Sequence, residues 1–183
     1  MKKLILIAAI TISSSLSIAQ NLLLMNPSFE GQSQAHIMPA PWIPCFDGGS
    51  PDTQPGQWGV NLQASHGNTY AAFLLEPNST YQEGASIQLT SCLYASVEYT
   101  LSVDLAFAPV FNTAEPGSCY GSFAIWGGTG GCGKNELLAY TGPIYDTTWN
   151  TYTFNFTPTQ DWCYISIGPI LSDTCTGYIN CLS

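Results

Sequence analysis

The sequence predicts an all-β fold, an antiparallel β-sandwich, and three observations carry that prediction. Apolar residues alternate with polar ones at period two in several segments, and no segment sustains apolar residues at helical spacing. Clusters of proline, glycine and asparagine punctuate the chain at sandwich-like intervals. An apolar fraction of 45% with 13% aromatic residues, against only 8% charged residues, suits a packed core and excludes a disordered acidic tail.

The first element is not part of that core. Residues 1–19 read MKKLILIAAITISSSLSIA, with Lys2 and Lys3 ahead of an apolar run from Leu4 to Ile12 and small residues before Ala19. This is the pattern of a signal peptide cleaved near Ala19, which leaves residues 20–183 as a single β-sandwich domain. The apolar run is too short to span a ~30 Å bilayer core, which needs ~20 residues. The expected product is secreted, extracellular or on the cell surface, without membrane insertion.

Next comes a short apolar strand in NLLLMNPSFEG, Asn21 to Gly31, turned by Asn26-Pro27. A long proline-rich loop from Gln32 to Asn61 follows, carrying Trp42, Phe46 and Trp58, and loops of that length are often functional. The clearest strand is YTLSVDLAF. Tyr99, Leu101, Val103, Leu105 and Phe107 share one face, while Thr100, Ser102, Asp104 and Ala106 share the other. TYTFNF repeats the pattern with Tyr152, Phe154 and Phe156 opposite Thr151, Thr153 and Asn155. Ile87 with Leu89, Phe123 with Ile125, and Ile165 with Ile167 mark three further strands. The string GTGGCG from Gly128 to Gly133 satisfies GxGxxG but contains Cys132 and leads into no helix, so it reads as a glycine turn between strands.

Charge limits the partners. Beyond residue 19 the chain has Lys134 alone against twelve carboxylates and no arginine, a surface that repels nucleic acid. The seven cysteines, at 45, 92, 119, 132, 163, 175 and 181, contain no CxxC pair and fit disulfides in an oxidising compartment. Cys119 and Cys132 flank a strand and the glycine turn, which makes them the first choice for a local bridge.

The opening NLLLMNPSFEG, with its strand, turn and Phe29-Glu30 pair, resembles the start of secreted carbohydrate-binding modules of the galactose-binding-like jelly-roll superfamily, of the bacterial cell-surface type. Pro41-Trp42, the lead-in Ser65-His66-Gly67-Asn68-Thr69-Tyr70, the segment Glu83 to Ala108, Thr148 to Pro158, and the closing Gly177 to Leu182 are similar to later parts of that fold, in order. The resemblance implies a jelly-roll sandwich and a structural calcium ion held by Glu30 and a closing-strand residue, here Asn180; no organic cofactor is implied.

Sugar recognition needs flat rings for the C–H face of a pyranose and polar side chains for its hydroxyls. Trp42, Trp58, Trp126, Tyr140 and Tyr145 are the candidate rings, and Asp104 is the candidate acid on the polar face of its strand. His36 and His66 lie in no GxSxG, HExxH or Cys-His pattern, and no local spacing nominates a catalytic carboxylate pair. The expected function is therefore a non-catalytic extracellular module that binds a glycan or cell-surface polysaccharide, and not an enzyme. The alternatives are a structural surface protein or self-assembling fibre subunit whose partners are identical copies, and, as a minor one, a secreted hydrolase.

Overall fold

A computed structural model describes residues 20–21, 24–47, 49–76, 80–109, 120–171 and 179–182. Residues 1–19, read as a signal peptide, lie outside them. The strands are β1 (Gln20–Asn21), β2 (Ile43–Cys45), β3 (Asp52–Gln54), β4 (Tyr70–Leu75), β5 (Gly84–Leu93), β6 (Tyr99–Phe107), β7 (Ser122–Gly128), β8 (Glu136–Tyr140), β9 (Asn150–Phe156), β10 (Trp162–Ile170) and β11 (Ile179–Leu182). The regular secondary structure is strand apart from one 3-10 turn at Gln57–Gly59.

Two sheets form the sandwich. One runs β2-β5-β10-β7-β8; the other joins β6, β11, β4 and β3, with β9 and β1 also paired to β6. Every pairing is antiparallel except the short parallel contact of β1 with Tyr99 and Thr100. The alternating residues singled out in the sequence meet between the sheets. Tyr99, Leu105 and Phe107 of β6, Phe73 of β4, and Phe154 and Phe156 of β9 face Ile87, Phe123, Ile125, Ile165 and Ile167 in one buried cluster. Fully burying such a side chain contributes about 1.5–3 kcal/mol.

A one-sided pattern fails where loops cover the outer faces. All six residues of β4 are buried because Val60, Leu62 and Ala64 pack over Tyr70, Ala72 and Ala106 in a second apolar cluster. Trp149 closes that cluster, 5.2 Å from Tyr70, and its ring N–H donates to the Gln63 carbonyl at 2.7 Å. All of β7 is buried as well, with Trp126 beneath Phe46.

The turn between β7 and β8 holds the glycine string, as its context predicts. Its Cys132 bridges to Cys45, not to Cys119, which corrects the expected pairing; Cys119 lies outside the described residues. The turn folds back toward β2, where Gly131 meets the Ile43 side chain, so Cys45 lies within bonding reach of it. A second disulfide, Cys92 to Cys163, joins the neighbouring strands β5 and β10. Both accord with an oxidising compartment. No helix among the described residues is long and apolar enough to cross a membrane.

Candidate ligand-binding cleft

The register of β6 against β9 places Thr100 opposite Asn155, Ser102 opposite Thr153 and Asp104 opposite Thr151. Because side chains alternate across a strand, these polar residues share the outer face while the apolar set goes inward. They bond in pairs: Thr100 Oγ1 donates to Asn155 Oδ1 at 2.8 Å, and the Ser102 and Thr153 hydroxyls lie 2.9 Å apart. Thr151 Oγ1 donates to Asp104 Oδ1 at 2.6 Å, and Ser65 Oγ donates to Asp104 Oδ2 at 2.8 Å.

The opposite edge of β6 pairs with two short strands. β1 pairs with Tyr99 and Thr100 and β11 with Ala106 and Phe107, so among the described residues the stretch 101–105 has no strand partner there. The Asn26 turn stands across that gap. Its side chain accepts from the Glu30 N–H at 2.8 Å and donates to the Glu30 and Ala40 carbonyls at 3.0 Å each, while Asn26 and Phe29 take the left-handed backbone, at φ 49° and 54°. Asparagine tolerates that conformation better than most residues. The Thr69 hydroxyl donates to the Phe29 carbonyl at 2.8 Å and ties the turn to the start of β4.

A cleft of about 280 Å³ results. Asp104, Ser65, Thr151, Ser28, His66 and Thr69 supply its polar wall, and Pro27, Phe29 and Val103 its apolar one. His66 Nδ1 and Ser28 Oγ lie 3.0 Å apart. A carboxylate that already accepts two hydroxyls still has free lone pairs, and beside it stand an imidazole and two further hydroxyls. The cleft can hold a ligand that both donates and accepts hydrogen bonds and presents one apolar face.

Of the residues the sequence nominates, Asp104 lines this cleft and the five rings do not. Trp42 is buried, its ring 4.7 Å from Phe29 and its N–H donating to the Asn26 carbonyl at 2.9 Å. Trp126 is also buried, with the Phe46 ring 5.5 Å away and the Lys134 ammonium 4.9 Å from its centroid. Trp58, Tyr140 and Tyr145 are exposed, at 36%, 62% and 60%, but on separate elements. Trp58 sits in the 3-10 turn beside His36, Tyr140 ends edge strand β8, and Tyr145 leans on Tyr120 at 4.6 Å.

For calcium, Glu30 Oε1 faces the N–H groups of Asn68 and Thr69 at 2.9 and 3.5 Å, and Asn180 pairs with Leu74 in β11 while its side chain lies outside the described residues. No group of three His, Cys, Asp or Glu side chains among the described residues is placed to share an ion.

Ser28, Ser65, His66, Thr69 and Thr151 were not nominated by sequence reasoning. The signal for Thr151 was present, since pairing β6 with β9 in a hairpin-like register puts a hydroxyl beside Asp104; the approach of Ser28 to His66 across 38 residues left none. A buried acidic group also escaped notice. Glu83, only 4% exposed, accepts from the Leu74 N–H at 2.7 Å, the Tyr81 hydroxyl at 2.8 Å and the Ser50 N–H at 3.3 Å. Burial pushes its carboxyl up to about 7, raises Asp52 beside it, and takes the Tyr81 phenol to about 12.

No family model and no curated protein matches the chain. Among solved structures it is similar to the Stig cyclase Fisc from Fischerella sp. TAU, in complex with (3Z)-3-(1-methyl-2-pyrrolidinylidene)-3H-indole, at a TM-score of 0.53 and 17% identity over 88% of this chain and 96% of that one. A second cyclase from the same source, in complex with 4-(1H-indol-3-yl)butan-2-one, gives 0.54 and 18% over the same shares. A CBM4 structure covers 80% of this chain and 92% of its own at 13% identity, with a TM-score of 0.41. The cyclase likenesses correct the expectation that the chain is not an enzyme. Their sandwich is one on which cyclases are built, so neither the fold nor the missing catalytic motifs excludes catalysis.

Proposed function

We propose that the chain is an exported binding protein that holds a carbohydrate in the cleft beside Asp104. The observation that carries this reading is the placement of a carboxylate with bonded hydroxyls on both sides, 2.6 and 2.8 Å away, facing the apolar wall of Pro27, Phe29 and Val103. A sugar ring offers the complement, with hydroxyls around its rim and C–H groups on its face. Asp104 accepts from a sugar hydroxyl in a charge-assisted bond, Ser28 and His66 bond its neighbours, and the ring face lies against Pro27 and Val103. The signal-like residues 1–19 and the two disulfides support an extracellular site of action.

A glycan array followed by calorimetry on residues 20–183 tests the reading. The mature protein binds at least one saccharide, and Asp104→Asn weakens that binding roughly tenfold to a hundredfold, as loss of a hydrogen bond to a charged group requires. Absence of binding to every saccharide at millimolar concentration, or a variant that binds as well as the parent, contradicts it.

A further inference from the structure

Beside the cleft a second space enters the sandwich itself. It measures about 330 Å³ and is walled by Leu24, Trp42, Leu101, Phe123, Ile165 and Ile167. Native cores leave few voids larger than a water molecule, and a dry cavity of ~150 Å³ already accepts benzene. Leu101 and Val103 belong to the core face yet are only half-buried, while Phe123, Ile165 and Ile167 of the opposite sheet form a buried floor. The chamber adjoins the polar cleft, and Pro27, Phe29, Ser102 and Val103 line both.

From this adjacency we infer that cleft and chamber form one two-part site for an amphiphilic glycoside, whose sugar meets Asp104 and whose apolar aglycone, one or two rings in size, enters between the sheets. The inference rests on the carbohydrate reading of the cleft and adds the class of ligand. The polar half fixes the direction of entry. Among the described residues the chamber offers a sugar's hydroxyls only the Thr100 and Ser102 side chains, so a sugar is disfavoured there, and an apolar ring gains little in the cleft.

Calorimetry with paired methyl and 4-nitrophenyl glycosides of glucose, galactose, mannose and xylose separates the two readings. The 4-nitrophenyl member of at least one pair binds ten times tighter or more than its methyl partner. Filling the chamber from either side, by Leu101→Phe or Leu24→Trp, removes that preference and leaves methyl glycoside binding intact. Using both variants guards against one that fails to fold. Equal binding of the two members overturns the chamber inference and leaves the carbohydrate reading standing. A preference that survives in both folded variants also overturns the inference, and no binding by any 4-nitrophenyl glycoside at millimolar concentration overturns both.

Discussion

Glu83 shows how much one side chain can impose on this fold. Its carboxyl is buried at the start of β5 with three donors and with Asp52 as a like-charged neighbour, and burial raises it from 4.5 to about 7. The folded chain therefore holds this proton more tightly than the unfolded chain. Stability is greatest below pH 4.5, declines as pH rises through the window from 4.5 to 7, and levels off above it, for a total of roughly 3 kcal/mol. Asp52, raised by burial in the same sense, adds to the slope. Thermal melts should give a higher Tm at pH 5 than at pH 8, and Glu83→Gln should flatten the difference; a parent Tm that is constant or rises across the window contradicts this. Neither Glu83 nor Asp52 stands out in the sequence, since Asp52 lies in a proline-rich loop and Glu83 precedes a strand, and only folding buries them together. Asp104 draws notice in the sequence as the one charged residue on the polar face of its strand. The aromatic residues misled, because the physics that makes Trp42 and Trp126 good sugar platforms also buries them.

Among the elements, β6 organises the most. Its inward residues meet the other sheet, its outward residues form the hydroxyl pairs with β9, and its Ser102, Val103 and Asp104 line the cleft. That strand, with β5, β9 and β10, is readable from alternation, and β7 is marked by Phe123 and Ile125 although both its faces are buried. β4 is not, because a strand buried on both faces has no polar side to alternate with, and β2 and β3 have three residues each. The disulfide partners of Cys132 and Cys163 were equally hidden, lying 87 and 71 residues away in sequence. Closing loops of that length stabilises the fold by roughly 4 kcal/mol each in the chain-entropy model. Replacing Cys92 and Cys163 together by serine should lower denaturant stability by an amount of that order while leaving the β circular dichroism signature in place. An unchanged midpoint would show that the bridge contributes nothing.

For the whole molecule, low charge and an uneven covering of the sheets are the dominant features. Lys134, the one basic residue beyond residue 3, spends its charge on the Phe46 ring at 3.4 Å and donates to Gln82 at 2.7 Å, and its partial burial lowers its pKa. Little positive charge is left for acidic partners, while hydroxyls and one carboxylate face the cleft. The all-β sandwich was legible from composition and period, but the cleft depends on the approach of Ser28 and Ser65 to β6 from far along the chain, which no local pattern records. The most direct measurement is a backbone amide NMR titration of the mature chain with the saccharide selected by the array. The account predicts saturable shifts clustered at Ser28, Ser65, His66, Asp104 and Thr151. Shifts confined to the exposed rings Trp58, Tyr140 and Tyr145, with those five amides unmoved, would contradict it.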